Sequence, residues 1–116
     1  MAAVHAKLMN YRVSAQKARL VANQVRGKGV EDALNVLELS PKRFSKPLAK
    51  LVRSAVANAE HKNDTIKAGI DVDSLFVSQV FVDEGASMWR IRPRAQGRAF
   101  WIQHRTSHVT VVLEER

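Results

Sequence analysis

In LFVSQVFVDEGASMWRIRPRAQGRAFWIQHRTSHVTVVL (residues 75–113), two runs suited to β-strands flank a stretch with no apolar pattern that would let it enter a core. The first run, LFVSQVFV, is rich in β-branched and aromatic residues. After the middle, Ile102 and the alternating Val109, Val111 and Leu113 supply a return strand. If the runs pair, the intervening MWRIRPRAQGRAFW must project from the folded body. The result is an arm over about residues 85–103, with Pro93 and Gly97 providing turn chemistry near its end.

No acidic residue falls between Ala86 and Leu113, whereas Arg90, Arg92, Arg94, Arg98 and Arg105 do. Every Lys or Arg after Lys67 is arginine. A guanidinium grips phosphate oxygens through two parallel hydrogen bonds and stacks on base faces, whereas an ammonium acts mainly as a hydrated point charge. Arginines crowded on one arm repel one another and order poorly without a polyanion. The pattern therefore predicts an arm that reaches into an irregular nucleic acid; the alternative is a solvated basic loop. Met88, Trp89, Phe100 and Trp101 have no evident core to enter, so they stack on bases, fill a crevice or pair across the hairpin.

The rest of the composition agrees with a folded partner of polyanions. The chain has 116 residues, a formal charge of +8 and a hydrophobic content of 46%. That suits one domain with a true core, its globular part at about residues 1–84 and 104–116. The pI near 10.5 favours nucleic acid. No run approaches the ~20 apolar residues of a membrane span, and no helix combines a Trp-rich face with a basic one, so no membrane partner is expected. Without cysteine there is no disulfide framework and no thiolate metal site. The opening MAAVHAKLMN lacks the apolar run and cleavage site of a signal peptide, and the expected location is the cytoplasm.

Residues 3–9 alternate loosely, with Val4, Ala6 and Leu8 against His5, Lys7 and Met9, and predict a short strand. Ser14 is a natural N-cap for a helix over about residues 15–26, whose Ala15, Ala18, Val21, Ala22 and Val25 recur at helical spacing until Gly27. Val30, Ala33, Leu34 and Leu37 predict a second, short helix that ends at Ser40 and Pro41. Its Glu31 and Asp32 lie in the first turn, where the helix dipole favours negative charge. Phe44, Leu48, Leu51, Val52, Ala55, Val56 and Ala59 form the stripe of a third helix, the spine of the core. Pro47 kinks it or delays its regular start to near Ser45. Residues 63–73 are polar, contain Gly69 and predict a connecting loop.

A second acid-free zone precedes Val30 and holds Lys7, Arg12, Lys17, Arg19, Arg26 and Lys28, which predicts a basic surface near the N-terminus. His104 and His108 are four apart, a spacing that serves a metal on a helix but separates two strand residues by roughly 13 Å. Asp71, Asp73, Asp83 and Glu84 are too dispersed for a two-metal nuclease centre. No phosphate-binding glycine loop and no nucleophile triad is present, so neither an enzyme nor a cofactor or metal site is expected.

Several segments together are specific enough to indicate a family: SAQKARLVANQVRGKGVEDALNVL (14–37), SAVANAEH (54–61), FVDEG (81–85), RPRAQGRA (92–99) and RTSHVTVV (105–112). The chain closely resembles the bacterial large-subunit ribosomal protein L twenty-two family from about Lys7 to its end. The resemblance implies an α+β fold, three helices packed on a small three-stranded antiparallel sheet, with a long protruding β-hairpin. It implies a structural constituent of the large subunit that binds rRNA, aids its assembly and lines the nascent-peptide exit tunnel with its hairpin tip. The implied partners are large-subunit rRNA, neighbouring large-subunit proteins and the nascent peptide, with no homo-oligomer. Carried over by position, Arg12, Ser14, Lys17, Arg19, Arg26, Lys28, Arg92, Arg94, Gly97, Arg98, Arg105 and His108 fall on rRNA-binding positions. Met88, Trp89 and Arg90 fall on the tunnel-lining segment associated with macrolide sensitivity. Trp89, Gln96 and His104 stand where the family commonly has a basic residue, Trp101 where it has a polar or basic one, and Ala86 where it has proline. A free RNA or DNA binder and a metal-dependent nuclease are the competing classes.

Overall fold

The computed structural model describes residues 3–67 and 69–115. The chain runs β1 (Ala3–Tyr11), α1 (Ala15–Val25), α2 (Val30–Leu39), α3 (Ser45–Ile66), β2 (Leu75–Glu84), β3 (Met88–Pro93), β4 (Ala99–His104) and β5 (Ser107–Glu115). Short 3-10 turns occupy Val72–Ser74 and Ala95–Gly97. The class is α+β, as the spacing and the resemblance imply, but the five strands divide into two sheets. One is a three-stranded antiparallel sheet in the order β1-β5-β2, and the other is a separate ribbon of β3 and β4.

β5 is central because it is apolar on every second residue: Val109, Val111 and Leu113 are fully buried. Across it lie three rows, Val4–Leu113–Val77, Ala6–Val111–Val80 and Leu8–Val109–Val82. Strict alternation along β2 would turn Gln79 and Phe81 inward after Val77. A bulge between Val77 and Gln79 resets the register, so Val80 and Val82 face the core and Phe81 is left 47% exposed. The bulged Ser78 donates its hydroxyl to the Val112 carbonyl at 3.2 Å.

The helices lay their stripes against this sheet. Ala18, Val21, Ala22 and Val25 of α1, Ala33 and Leu37 of α2, and Leu48, Leu51, Val52, Ala55 and Ala59 of α3 are buried in one cluster with the sheet residues. α3 begins regularly at Ser45. Pro47 is tolerated because it lies in the first turn, where N–H groups have no intrahelical acceptor. The Ser45 hydroxyl donates to the Lys42 carbonyl at 2.6 Å and stabilises the turn before the helix.

Two expectations need correction. The loop placed at residues 63–73 starts later, because α3 continues to Ile66 and ends at Lys67 in the left-handed region. Asn63 accounts for the extension: its amide donates to the Ile70 carbonyl and accepts from the Ile70 N–H, both at 2.7 Å, so the returning chain clamps the last helical turn. Ile102, assigned to the return strand with Val109, instead sits in β4 opposite Arg90. The ribbon also makes the molecule long. Its extents are 64 × 28 × 17 Å and its radius of gyration is 17.5 Å, against about 13 Å for a compact chain of this size.

Candidate nucleic-acid interface

The arm leaves the sheet where β2 and β5 diverge, and a close crossing fixes its root. The Gly85 N–H donates to the Thr106 carbonyl at 2.8 Å, and the Thr106 hydroxyl donates to the Ala86 carbonyl at 2.6 Å. A Cβ on Gly85 would lie 2.6 Å from Thr106 Oγ1 and 3.1 Å from His108 Nε2, so the approach requires glycine. The histidines are separately engaged. His108 Nδ1 accepts the Asn10 N–H at 3.0 Å, next to the irregularity in β1 between Leu8 and Tyr11. His104 Nδ1 lies 2.8 Å from Arg12 Nη2. A guanidinium and a backbone N–H only donate, so each Nδ1 is the acceptor in these bonds and Nε2 is the ring nitrogen left to donate.

Beyond the root, alternation gives the ribbon two faces. Opposed pairs Met88–His104, Arg90–Ile102 and Arg92–Phe100 share one face; Trp89–Gln103, Ile91–Trp101 and Pro93–Ala99 share the other. One face thus carries the arginines and the other carries no charge. Trp89 is 56% and Trp101 66% exposed. The turn spans Arg94 to Arg98, whose N–H and carbonyl meet at 2.6 Å, and Gln96 and Gly97 both take positive φ, 62° and 71°. Among the described residues, the side chains of Arg92, Arg94, Arg98 and Arg105 make no hydrogen bond or ion pair.

The basic residues of α1 divide into two kinds. Arg19 Nη2 donates to the Val82 carbonyl at 2.9 Å, and Arg26 Nη2 donates to the Val80 carbonyl at 2.7 Å. These carbonyls belong to the outer edge of β2. The same edge is closed at Val77, which accepts from the Gly27 N–H at 2.7 Å and donates to the Lys28 carbonyl at 2.8 Å. Arg19 and Arg26 therefore hold α1 on the sheet edge and only secondarily offer charge to solvent. Ser14 caps α1, its hydroxyl accepting from the Lys17 N–H at 3.4 Å. Lys17 and Arg12 are exposed at the start of α1 and Lys28 is exposed beyond its end.

Arg12 and Lys17 line a crevice of about 750 Å³ between the start of α1, the turn before α3 and the arm root. Lys42, Arg43 and Arg105 complete its rim, and among the described residues no acidic one lines it. Its floor includes Tyr11 and Phe44, whose ring centroids are 5.7 Å apart at 57°.

The family described as Ribosomal protein L22p/L17e matches residues 6–114. The chain belongs to that family. The L22 family is a structural, non-enzymatic one of the cytoplasmic large ribosomal subunit, so this chain is a structural constituent of that subunit and binds ribosomal RNA alongside other ribosomal proteins. No helix among the described residues is long and apolar enough to cross a membrane.

The candidate L22 positions do not form one site. Arg12, Lys17 and Arg105 converge on the crevice; Arg92, Arg94, Gly97 and Arg98 occupy the far half of the arm; His108 lies in the body sheet. Met88, Trp89 and Arg90 begin the ribbon at its body end, with Met88 five residues, or roughly 17 Å by strand rise, before Pro93 at its turn side. Sequence reasoning missed Lys42 and Arg43 at the crevice. They follow Ser40 and Pro41, and the one signal was an unpaired basic pair between two helices.

Proposed function

We propose that the L22 chain works as one body with an arm, the body at about residues 1–84 and 104–116 and the arm at about 85–103. On this reading the body settles on exposed rRNA during assembly and the arm threads between rRNA segments to reach the exit tunnel. The observation that carries this reading is an arm whose Arg92, Arg94 and Arg98 side chains have no partner among the described residues, on a ribbon whose root is fixed by the Thr106 hydroxyl on the Ala86 carbonyl. Phosphates would satisfy those guanidinium groups and remove their mutual repulsion, so docking and ordering of the arm are coupled. Gly97 keeps the turn narrow by taking a positive φ.

The tunnel-lining role is divided by the geometry of the ribbon. If Met88, Trp89 and Arg90 border the nascent peptide, they do so along the flank of the arm, Trp89 from one face of the ribbon and Met88 and Arg90 from the other, and the turn at Arg94 to Arg98 passes to rRNA beyond it. An indole at position 89 then presents a flat apolar surface to the peptide. In the body, Arg12, Lys17, Lys28, Arg105 and His108 contact rRNA directly. Arg19, Arg26 and Ser14 act first by holding α1 in place.

Chemical footprinting of large-subunit rRNA with and without the protein tests the reading. Protection spread over several rRNA domains and reaching the tunnel wall is expected. Protection confined to the region beneath the body would overturn the threaded arm.

A further inference from the structure

We propose that the crevice at the arm root takes a single unpaired nucleotide of RNA, its base inserted toward Tyr11 and its flanking phosphates on the cationic rim. The proposal rests on the rRNA-binding reading of the body and adds a subsite to it. The first support is the contrast between rim and floor. Arg12, Lys17, Lys42, Arg43 and Arg105 surround an opening to which no described residue brings a carboxylate, yet Leu20 in its wall is 55% exposed and the floor is aromatic and aliphatic. A duplex lying across the rim would meet the cations and leave that apolar floor wet. An extruded base covers it, while its own two phosphates reach the rim.

The second support is that the polar groups in the wall are arranged before any ligand arrives. His104 Nδ1 holds the Arg12 guanidinium at 2.8 Å, which leaves the His104 Nε2–H as a donor. The third support is that the crevice draws its walls from three separate parts of the chain, α1, the turn before α3 and the end of β4. Its shape therefore depends on the arm being rooted as observed.

The test is base-specific chemical probing of large-subunit rRNA bound by the full chain, alongside cleavage probing of the RNA backbone. The wild-type chain is expected to suppress the reactivity of one unpaired base about tenfold. Leu20→Glu, a change at an exposed position, should restore that reactivity while backbone protection by the arm persists. Lys42→Ala combined with Arg43→Ala should release the same base. Thermal melts of each variant confirm that the fold is intact. The proposal is overturned if no unpaired base is suppressed, if Leu20→Glu leaves the suppression unchanged, or if the two variants release different nucleotides. Loss of arm protection with the crevice base still suppressed would instead overturn the threaded-arm reading and leave the subsite standing.

Discussion

Two arginines of one chemical type perform opposite tasks here, and mutation separates them. Arg26 donates to Val80 and to Asn23 Oδ1, both at 2.7 Å, whereas the Arg94 side chain engages nothing among the described residues. Arg26→Ala is expected to lower unfolding free energy in urea by about 1 kcal/mol, since water can reach the released carbonyl. Arg94→Ala should change it by less than about 0.5 kcal/mol. An unaltered urea midpoint for Arg26→Ala would remove the edge-holding role. Gly85 supplies a steric counterpart. Gly85→Ala puts a Cβ 2.6 Å from Thr106 Oγ1, whose hydroxyl is already committed to Ala86. The expected cost is about 1–3 kcal/mol. Thr106→Ala in the same chain should recover part of that cost, and a double-mutant cycle with no coupling would show that the contact is not the cause.

At the level of elements, β5 and α3 were legible because burial imposes a period on the sequence. Val109, Val111 and Leu113 alternate as a strand must, and Leu48, Leu51, Val52, Ala55 and Ala59 recur as a helix must. What was not legible depends on partners distant in sequence. The last turn of α3 has no apolar stripe and is retained by Asn63 clamping Ile70. The bulge in β2 exchanges Phe81 for Val82 on the core face, which no local preference announces. The crevice gathers Arg12, Lys42 and Arg105, and Arg19 carries the same sequence signal as Lys17 although one is tied to an edge and the other is not. The ribbon itself was legible as an arm, but the sorting of its faces needed the register. That sorting has a measurable consequence. A two-stranded ribbon with both faces exposed is marginal in water, so amides of β3 and β4 in the free protein should exchange with little protection while those of Val109 and Val111 exchange slowly. Equal protection in both sheets would mean that the arm is ordered before it meets RNA.

For the whole molecule, the elongated shape separates two electrostatic contributions to RNA affinity, one from the body crevice and one from the arm. Counterion release makes log affinity fall linearly with log salt, by about 0.7 for each phosphate contacted on single-stranded RNA. Alanine at Arg92, Arg94 and Arg98 together should therefore reduce the slope by about 2, with affinity falling most at low salt. The same triple variant should keep its urea midpoint, because none of the three side chains bonds to any described residue of the body. Lys17→Ala with Lys42→Ala should reduce the slope by about 1.4 through the crevice alone. If the arm and body engage the RNA independently, the two reductions add when all five residues are changed. If the arm orders only after the body has docked, loss of the crevice contacts also weakens the arm's, and the combined reduction falls short of the sum. Filter binding of rRNA fragments from low to moderate salt measures all of these slopes. A slope unchanged by the arm triple would mean that its guanidinium groups do not neutralise phosphate, and the charge on the arm would then need another partner.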